Sequence, residues 1–327
     1  MESNQTLAEV QEKGGWPHGP SKLELRLGND LTRVLVALIG IPVVLGLLYL
    51  GGWGLTLLVI GISIGAMLEF YWMLEKRGAK PLKTLGIVAG VGFICAASGL
   101  CQLESQWSIR VSIFLVITIP IVFILSTLVG GFRLPDKEGL SSVISTIMGF
   151  FYMPFLIATL LGTMPVIERI FLQWSIDVHR TLPLPLGSHY VSVFIVMLFA
   201  GIWICDSGTY FAGRAFGKHK LFERVSPKKT WEGAIAGAGS AIIGVTLITI
   251  WLFPQLRWYD GVIIGAIIGV MGQTGDLVES HLKRACGVKD SSQIIPGHGG
   301  VLDRFDSLLF VGPAVFLYLY SRMLFVG

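Results

Sequence analysis

Long apolar stretches alternate with short polar ones along almost the whole chain after residue 30. A helix that crosses a membrane needs about 20 mostly apolar residues. Nine stretches reach that length, so the pattern predicts nine spans. They lie at residues 31–50, 53–74, 84–102, 108–130, 141–163, 189–212, 233–253, 259–280 and 304–325. The Gly51–Gly52 pair predicts a tight hairpin between the first two spans.

The polar stretches divide the chain into regions. Residues 1–30 are polar and carry both signs of charge, which predicts a cytosolic tail rather than a cleaved signal peptide. Residues 31–163 hold five of the predicted spans, and residues 189–327 hold the other four. The segment 164–188 is too polar to span a membrane. It predicts an interfacial helix followed by a Pro-rich extracytoplasmic loop.

Composition supports the membrane assignment. The chain is 53% hydrophobic and 14% charged, whereas soluble domains carry about 25% charged residues. The predicted fold class is therefore an all-α integral membrane protein. The four cysteines form no C-x-x-C pair, so neither a disulfide framework nor a zinc site is indicated. The net charge of +4 is modest, and we expect no nucleic-acid partner.

The distribution of basic residues predicts the orientation. With the N-terminus inside, 20 of the 25 Lys and Arg residues fall on the inner side of the nine-span arrangement. Cytoplasmic loops carry the excess of Lys and Arg in membrane proteins. We therefore predict a cytosolic N-terminus and a C-terminus on the other side. If one span in the middle were miscounted, the loops after it would change sides and the excess of basic residues on the inner side would be lost. The observed division therefore also supports the number of nine spans.

Unusual residues concentrate in two inner loops. The first loop covers residues 205–233, "CDSGTYFAGRAFGKHKLFERVSPKKTWEG". Asp206 falls within the sixth predicted span, where a carboxylate is costly and indicates function. The Ser-Pro step at Ser226 predicts a turn, and Lys228 and Lys229 follow it at headgroup depth. For Asp206 the competing interpretation is a carboxylate that snorkels or pairs with a neighbouring arginine. For the two lysines it is that they only orient the protein.

The second inner loop, residues 275–307, joins two acidic helix faces. At the end of the eighth span, acidic residues are followed by basic residues at helical spacing. All of them therefore lie on the same face of the helix. Its members are Asp276, Glu279, Ser280, Lys283 and Arg284. The start of the last span repeats the acidic spacing with Asp303, Asp306 and Ser307. Between these faces, Gly297, Gly299 and Gly300 allow close backbone approach to a ligand and lead into a helix N-terminus, which favours anions.

Two acidic faces flanked by Lys and Arg predict a site for a metal ion and phosphate. Carboxylates bind hard divalent cations such as Mg²⁺, and Lys and Arg bind phosphate oxygens. The competing interpretation is a set of charges that pair with one another at a helix junction. Glu69 also lies inside a predicted span, the second. For Glu69 we favour snorkelling or pairing with a basic residue over a catalytic role.

The run from Ser280 to Asp306 reads S-x-L-K-R-x4-K-D, then P-x-H-G-G-V-x-D-R-F-D. This run resembles the signature of the phosphatidate cytidylyltransferases, also called CDP-diacylglycerol synthases. The stretch "GRAFGKHKLFERVSPKKTWEG" resembles another loop of that family. The resemblance covers roughly residues 200–310, while the first five spans match only in general hydrophobic character. Ser292 departs from the pattern, which more often has Gly there, and the 164–188 segment is longer than usual.

The resemblance implies a reaction in which CTP and phosphatidic acid give CDP-diacylglycerol and diphosphate, in a bacterial inner membrane with the site facing the cytosol. It implies Mg²⁺ held by Asp276 and Asp303, with a second cation such as K⁺. The residues expected to be catalytic are Asp276, Asp303, Lys283 and Arg304. Those expected to bind substrate are Asp206, Ser226, Lys228, Lys229, Ser280, Arg284, Lys289, His298, Gly299, Gly300 and Asp306.

Two other functions fit parts of the same pattern. A CTP-dependent kinase of a polyprenol or another lipid alcohol would use a similar site, but its alcohol nucleophile would benefit from a general base. A transporter would also carry intramembrane acids, typically near the midplane of broken helices. The predicted clustering of charge at one face argues against a transporter. A homodimer is one assembly that the sequence leaves open.

Overall fold

The structure, a computed structural model, describes residues 29–102, 105–132, 134–178 and 190–325. The predicted tail up to residue 28 and the Pro-rich part of the 164–188 segment lie outside the described residues. The boundaries drawn between the regions of the chain stay a prediction.

The described residues form eleven α-helices, two π-helical segments and two β-strands. In chain order these are α1 (Asn29–Tyr49), α2 (Gly52–Glu75), α3 (Lys83–Gln102), α4 (Gln106–Gly131), α5 (Asp136–Phe150), a π-helical segment (Phe151–Phe155), α6 (Thr159–Val178), α7 (Tyr190–Phe216), β1 (Lys220–Phe222), β2 (Ser226–Thr230), α8 (Trp231–Leu252), α9 (Trp258–Ile267), a second π-helical segment (Ile268–Gly272), α10 (Gln273–Ala285) and α11 (Leu302–Phe325).

Nine helical stretches of the described residues are long and apolar enough to cross a membrane, which is the number predicted. The chain is therefore a multi-pass membrane protein. The fifth stretch runs over residues 138–171, beyond the predicted end at 163, and α6 continues to Val178. A helix is therefore present where the interfacial helix was predicted, as the continuation of this stretch, and its interfacial position stays a prediction. Despite its polar residues, this segment buries Val166, Ile167 and Ile170 in the core, where α6 packs against α11.

The turn between α1 and α2 is the predicted tight hairpin. Gly51 has a φ of 78°, a left-handed conformation that glycine adopts without the strain other residues would suffer. The two helices differ in burial. Most of α2 is buried among the other spans, whereas α1 exposes a long apolar surface. Apolar side chains exposed along a spanning helix are what contact with lipid requires.

The helices α7 and α8 pack closely and carry a β-hairpin between them. A Cβ atom at Gly237 on α8 would lie 1.9 Å from Oγ1 of Thr209 on α7, so only glycine allows this approach. Strands β1 and β2 are antiparallel, with Phe222 opposite Ser226. The predicted turn at Ser226 is wrong, since this residue begins a strand. Apart from this hairpin, the described residues confirm the predicted all-α class.

The end of the hairpin also starts the next helix. Thr230 closes β2, and its Oγ1 accepts a hydrogen bond of 3.2 Å from the backbone N–H of Gly233. This is an N-cap, which satisfies one of the free N–H groups at a helix start. The hairpin is therefore fixed directly to α8, and its orientation follows that of the helix.

A buried charge cluster joins α9 and α11 at the membrane face opposite to the ends that carry Asp276 and Asp303. Asp260 has no exposed surface. Its Oδ1 accepts hydrogen bonds from Nε of Arg322 at 2.9 Å and from the Tyr318 hydroxyl at 2.5 Å. A buried charge is costly unless it is paired. This cluster therefore fixes the far end of α11 relative to α9.

Candidate active site

A polar cavity of about 480 Å³ lies where the ends of α7, α10 and α11 meet the loop between α10 and α11. Its described wall is densely charged. The acidic residues are Asp206, Asp276, Glu279, Asp290, Asp303 and Asp306, and the basic ones are Arg33, Lys283, Lys289 and Arg304. Most of the residues predicted for the site from the sequence thus line one cavity, at one end of the spans.

Three carboxylates converge in this cavity. Asp276 and Glu279 lie one turn apart on α10, and Asp306 faces them from α11. Each offers one oxygen, and the three oxygens lie within 4.8 Å of one another. The two helices approach closely here: a Cβ atom added at Gly275 would lie 2.5 Å from the backbone oxygen of Asp306. The sequence spacing predicted the face on α10 but did not include Glu279 among the site residues.

This acidic cluster fits a hard divalent cation. Glu279 has no exposed surface, and among the described residues no hydrogen-bond donor reaches its Oε1. Three carboxylates at this separation repel one another unless a positive charge lies between them. Carboxylate oxygens are also the side-chain ligands that Mg²⁺ prefers. The donor set is therefore suited to Mg²⁺, with Asp276, Glu279 and Asp306 as the residues that would hold it.

Asp303 lies beside this cluster and makes a different set of contacts. Its Oδ1 lies 2.5 Å from Nζ of Lys283. Its Oδ2 accepts hydrogen bonds from the backbone N–H of Gly300 at 2.9 Å and from the N–H and hydroxyl of Ser291 at 3.0 Å and 2.9 Å. Both oxygens thus have protein partners. The assignment of Asp303 as a metal ligand stays a prediction.

Lys283 joins the two acidic groups. Its Nζ lies 2.5 Å from Oε2 of Glu279 and 2.5 Å from Oδ1 of Asp303, and its side chain is 12% exposed. A buried ammonium between two carboxylates holds both in place and offsets part of their charge. Lys283 therefore acts within the protein's own charge network, although it also lines the cavity.

Strand β2 presents its two lysines differently. Nζ of Lys229 lies 2.5 Å from Oδ2 of Asp276, whereas Lys228 is exposed. Neither lysine is among the residues that line the cavity. Successive side chains on a strand point to opposite faces, which explains the difference. Ser226 also lies on β2, paired with Phe222 and outside the cavity wall. The structure therefore brings one of the three hairpin residues predicted for the site to its carboxylates.

Glu69 anchors the loop before α11. It is fully buried in α2. Its carboxylate accepts hydrogen bonds from the hydroxyls of Ser291 at 2.9 Å and Ser292 at 2.5 Å, and from the backbone N–H groups of Val301 and Leu302 at 2.8 Å each. The expected snorkelling or pairing with a basic residue is therefore wrong. The signal available in the sequence was an acid inside an apolar span.

The glycine-rich loop packs tightly over Glu69. Gly297 and Gly299 have φ values of 74° and 84°, which favour glycine. A Cβ atom at Gly300 would lie 1.9 Å from Oγ of Ser291 and 2.5 Å from Oε2 of Glu69. The close approach predicted for a ligand is thus made by the protein itself at Gly300. His298 lines the cavity, and its Nδ1 is buried without a hydrogen-bond partner among the described residues.

The remaining predicted residues fall into two groups. Asp206, Lys289 and Arg304 line the cavity, and Ser280 donates a hydrogen bond of 3.3 Å to Asp276. Arg284 instead donates to the backbone oxygen of Val288 at 3.1 Å and does not line the cavity. Besides Glu279, two charged residues of the cavity wall were missed. Asp290 lies next to a predicted lysine, and Arg33 lies at the start of α1, which no local pattern connects to the loop.

A family comparison covers most of this architecture. The model of the cytidylyltransferase family matches residues 31–322. The chain belongs to this family. The match runs from the first span to the last, so the family likeness extends well beyond the 200–310 segment that carries the motifs. The N-terminal spans that supply Arg33 and Glu69 are part of it.

Individual relatives agree with the family assignment. The chain is 29% identical over 299 residues to a phosphatidate cytidylyltransferase of Synechocystis sp., covering 88% of this chain and 95% of that protein. It is 31% identical to the enzyme of that name from Staphylococcus haemolyticus, over 86% of this chain and 95% of the relative. A Bacillus subtilis relative of the same name is 49% identical over 117 residues, 36% of this chain and 43% of the relative.

Proposed function

We propose that this protein is a phosphatidate cytidylyltransferase, a nucleotidyltransferase that makes CDP-diacylglycerol and diphosphate from CTP and phosphatidic acid. The observation that carries the proposal is the convergence of Asp276, Glu279 and Asp306 in a charged cavity at one end of the spans, in a chain of the cytidylyltransferase family. Relatives that bear this name match the chain over most of its length.

The reaction depends more on neutralising the negative charge of the phosphates than on transferring protons. A phosphate oxygen of phosphatidic acid attacks the α-phosphorus of CTP, and the bond from that phosphorus to the bridging oxygen of the diphosphate breaks. The nucleophile is already ionised at neutral pH, so the step needs no strong general base. The main barrier is the approach of two polyanions. Positioning and electrostatic stabilisation dominate such transfers.

The residues of the cavity supply these two effects. Bound Mg²⁺ would neutralise negative charge on the phosphates of CTP. Asp276, Glu279 and Asp306 would hold the ion. Lys229 holds Asp276 in place, and Lys283 holds Glu279, through their own ion pairs. Cations on the cavity wall that have no such partner bind phosphate oxygens directly. A second cation, such as K⁺, belongs to the same proposal.

The location of the cavity suits substrates from two phases. Phosphatidic acid stays in the bilayer and CTP stays in water, so a shared site must lie at the end of the spans, as this cavity does. We propose that this end faces the cytosol, which supplies CTP. Because the relatives named above are bacterial, the membrane in this proposal is a bacterial inner membrane.

Two differently labelled forms of CTP test the proposal. The purified protein in mixed micelles receives CTP labelled at the α- or the γ-phosphate, with phosphatidic acid, a polyprenol or diacylglycerol as acceptor. We expect α-label in lipid with phosphatidic acid alone, and γ-label in diphosphate. Transfer of γ-label to polyprenol would instead identify a lipid-alcohol kinase. Absence of transfer from either label, in folded protein, would contradict both enzymes and favour a transporter.

A further inference from the structure

Arg33 reaches the cavity from a helix that is little buried by the rest of the described molecule. It lies near the start of α1, whose long apolar surface is exposed. Its Nε donates a hydrogen bond of 2.8 Å to the backbone oxygen of Gly297 in the glycine-rich loop, and its side chain forms part of the cavity wall. A cation that only oriented the protein in the membrane would need neither contact.

Arg33 and Arg304 are held in the same way by neighbouring residues. Nε of Arg304 donates a hydrogen bond of 2.7 Å to the backbone oxygen of His298, the residue after Gly297. In both arginines the bond is made by Nε, and no other described residue is seen to bond the two terminal nitrogens of the guanidinium. Among the described residues, neither arginine forms an ion pair with an acid. Two planar guanidinium groups are thus held against the same loop, and both lie on the wall of the same cavity.

Two lysines of the site, Lys229 and Lys283, are paired with carboxylates, while a third, Lys289, lines the cavity. Lys229 lies on Asp276, and Lys283 lies between Glu279 and Asp303, each at 2.5 Å. An anion that enters the cavity therefore meets these ammonium groups already paired with carboxylates. Within the described part of the chain, the guanidinium groups of Arg33 and Arg304 pair with no acid. They are better placed to receive the anion than the ammonium of Lys289, since a guanidinium binds two phosphate oxygens at once.

Packing fixes the stem of Arg33 as well. A Cβ atom at Gly297 would lie 2.9 Å from Cγ of Arg33 and 3.3 Å from its backbone nitrogen. The glycine thus allows the loop to lie directly against the start of α1. A side chain held at its stem and at Nε loses less conformational freedom when a ligand binds. This arrangement prepares the guanidinium for an anion before the anion arrives.

We propose that Arg33 binds a phosphate group of a substrate, as the partner of Arg304 across the glycine-rich loop. The inference rests on the proposed function and adds a ligand-binding residue from the first span. The phosphate belongs either to CTP or to phosphatidic acid, and kinetics separate the two. Lysine cannot replace Arg33 fully, because one ammonium cannot bond Gly297 and also present a planar fork to phosphate.

The test compares Arg33→Gln and Arg33→Lys with Arg77→Gln. Arg77 is an exposed cation after α2 that does not line the cavity. We expect Arg33→Gln to lower kcat/KM more than tenfold, Arg33→Lys to recover part of the loss, and Arg77→Gln to stay within about twofold of wild type. A raised KM for CTP assigns the phosphate to the nucleotide, and a raised KM for phosphatidic acid, measured as mole fraction in micelles, assigns it to the lipid.

A binding measurement separates this inference from the enzymatic proposal. Inorganic diphosphate is titrated into wild type and Arg33→Gln, with thermal stability in detergent as the readout. We expect weaker stabilisation of the variant at each concentration, with unchanged melting in the absence of diphosphate. Wild-type kcat/KM and wild-type diphosphate binding in Arg33→Gln would overturn the inference. So would equal destabilisation of both Arg33 variants without diphosphate, which would make Arg33 only a structural link to Gly297.

Discussion

Nζ of Lys229 lies 2.5 Å from a carboxylate oxygen of Asp276. This pair joins the hairpin between α7 and α8 to the acidic cluster on α10. The preceding residue on the same strand, Lys228, points to the other face and is exposed. Two lysines that look equivalent in the sequence therefore have different environments, and substitution can distinguish their roles.

We expect Lys229→Ala to lower turnover more than tenfold, which corresponds to about 1.4 kcal/mol of transition-state stabilisation. The reason is the loss of the cation that holds Asp276. Lys228→Ala removes the same charge from the same strand and should leave turnover within about twofold. Turnover is measured in micelles after gel filtration confirms folded protein. Equal activities of the two variants would show that the pair only orients the hairpin.

The acidic cluster predicts which substitution changes the metal requirement. Asp306→Asn removes one charge from the converging carboxylates, so the Mg²⁺ concentration for half-maximal activity should rise. Loss of one preorganised electrostatic contact lowers rates about 10²–10³-fold, and we expect that range at low Mg²⁺.

Asp303→Asn provides the comparison for the metal requirement. Asp303 binds Lys283 and the backbone N–H of Gly300, so its substitution should disturb the loop and lower activity. The half-saturating Mg²⁺ concentration should stay near the wild-type value. A large rise of that concentration in Asp303→Asn would support the ligand pair predicted from the sequence, Asp276 and Asp303, instead.

Glu69→Gln tests the anchor of the glycine-rich loop. The amide nitrogen of the glutamine would face N–H or hydroxyl groups that now donate hydrogen bonds to the carboxylate, so at least one donor would lose its acceptor. An unsatisfied buried group costs about 1–3 kcal/mol. We expect faster hydrogen exchange in residues 288–302 and a lower turnover. Glu75→Gln, at the end of the same helix in an exposed pair with Lys83, is the matched control. Faster exchange throughout the protein would point to a general packing defect.

The pair of Asp260 and Arg322 predicts a loss of stability far from the site. Asp260→Ala leaves Arg322 with a largely buried, unpaired charge, which typically costs about 3–5 kcal/mol. Glu138→Ala breaks the exposed pair with Lys80 and should cost less than about 1 kcal/mol. Unfolding in detergent measures both. Similar midpoints for the two variants would show that water or lipid headgroups satisfy Arg322 when Asp260 is absent.

Orientation is tested by labelling single cysteines. All four native cysteines are free, so they are first replaced. In intact cells an impermeant thiol reagent should reach Trp107→Cys, at the start of α4, and should not reach Lys228→Cys on the hairpin. Both native side chains are exposed, so accessibility within the fold does not explain a difference. The reverse labelling pattern would place the cavity on the outer side.

The spans were predictable because each depends on one quantity, the length of an apolar stretch. The hairpin at residues 220–230 was not, since its strands are three and five residues long and contain residues that are common in turns. The continuation of the fifth span past residue 163 depends on burial against α11. No local pattern reports that contact.

The site shows the same division. Helical spacing placed Asp276 and Glu279 on one face, because that spacing is local. Glu69 and Arg33 contact the loop over more than 200 positions of sequence, and a single sequence does not reveal such pairs. The partner of Asp303 depends on how α10 and α11 are rotated against each other. The sequence therefore identified most of the acids of the site, though not Glu279 or Asp290, and did not determine which of them face one another.

Helix α11 is fixed at both ends, by Asp303 and Asp306 in the cavity and by Arg322 on Asp260. One residue added to a helix rotates everything beyond it by about 100° and moves it by 1.5 Å. An insertion or deletion inside α11 would therefore turn either the acids or the arginine away from their partners. The length of this span is thus constrained as strictly as its chemistry.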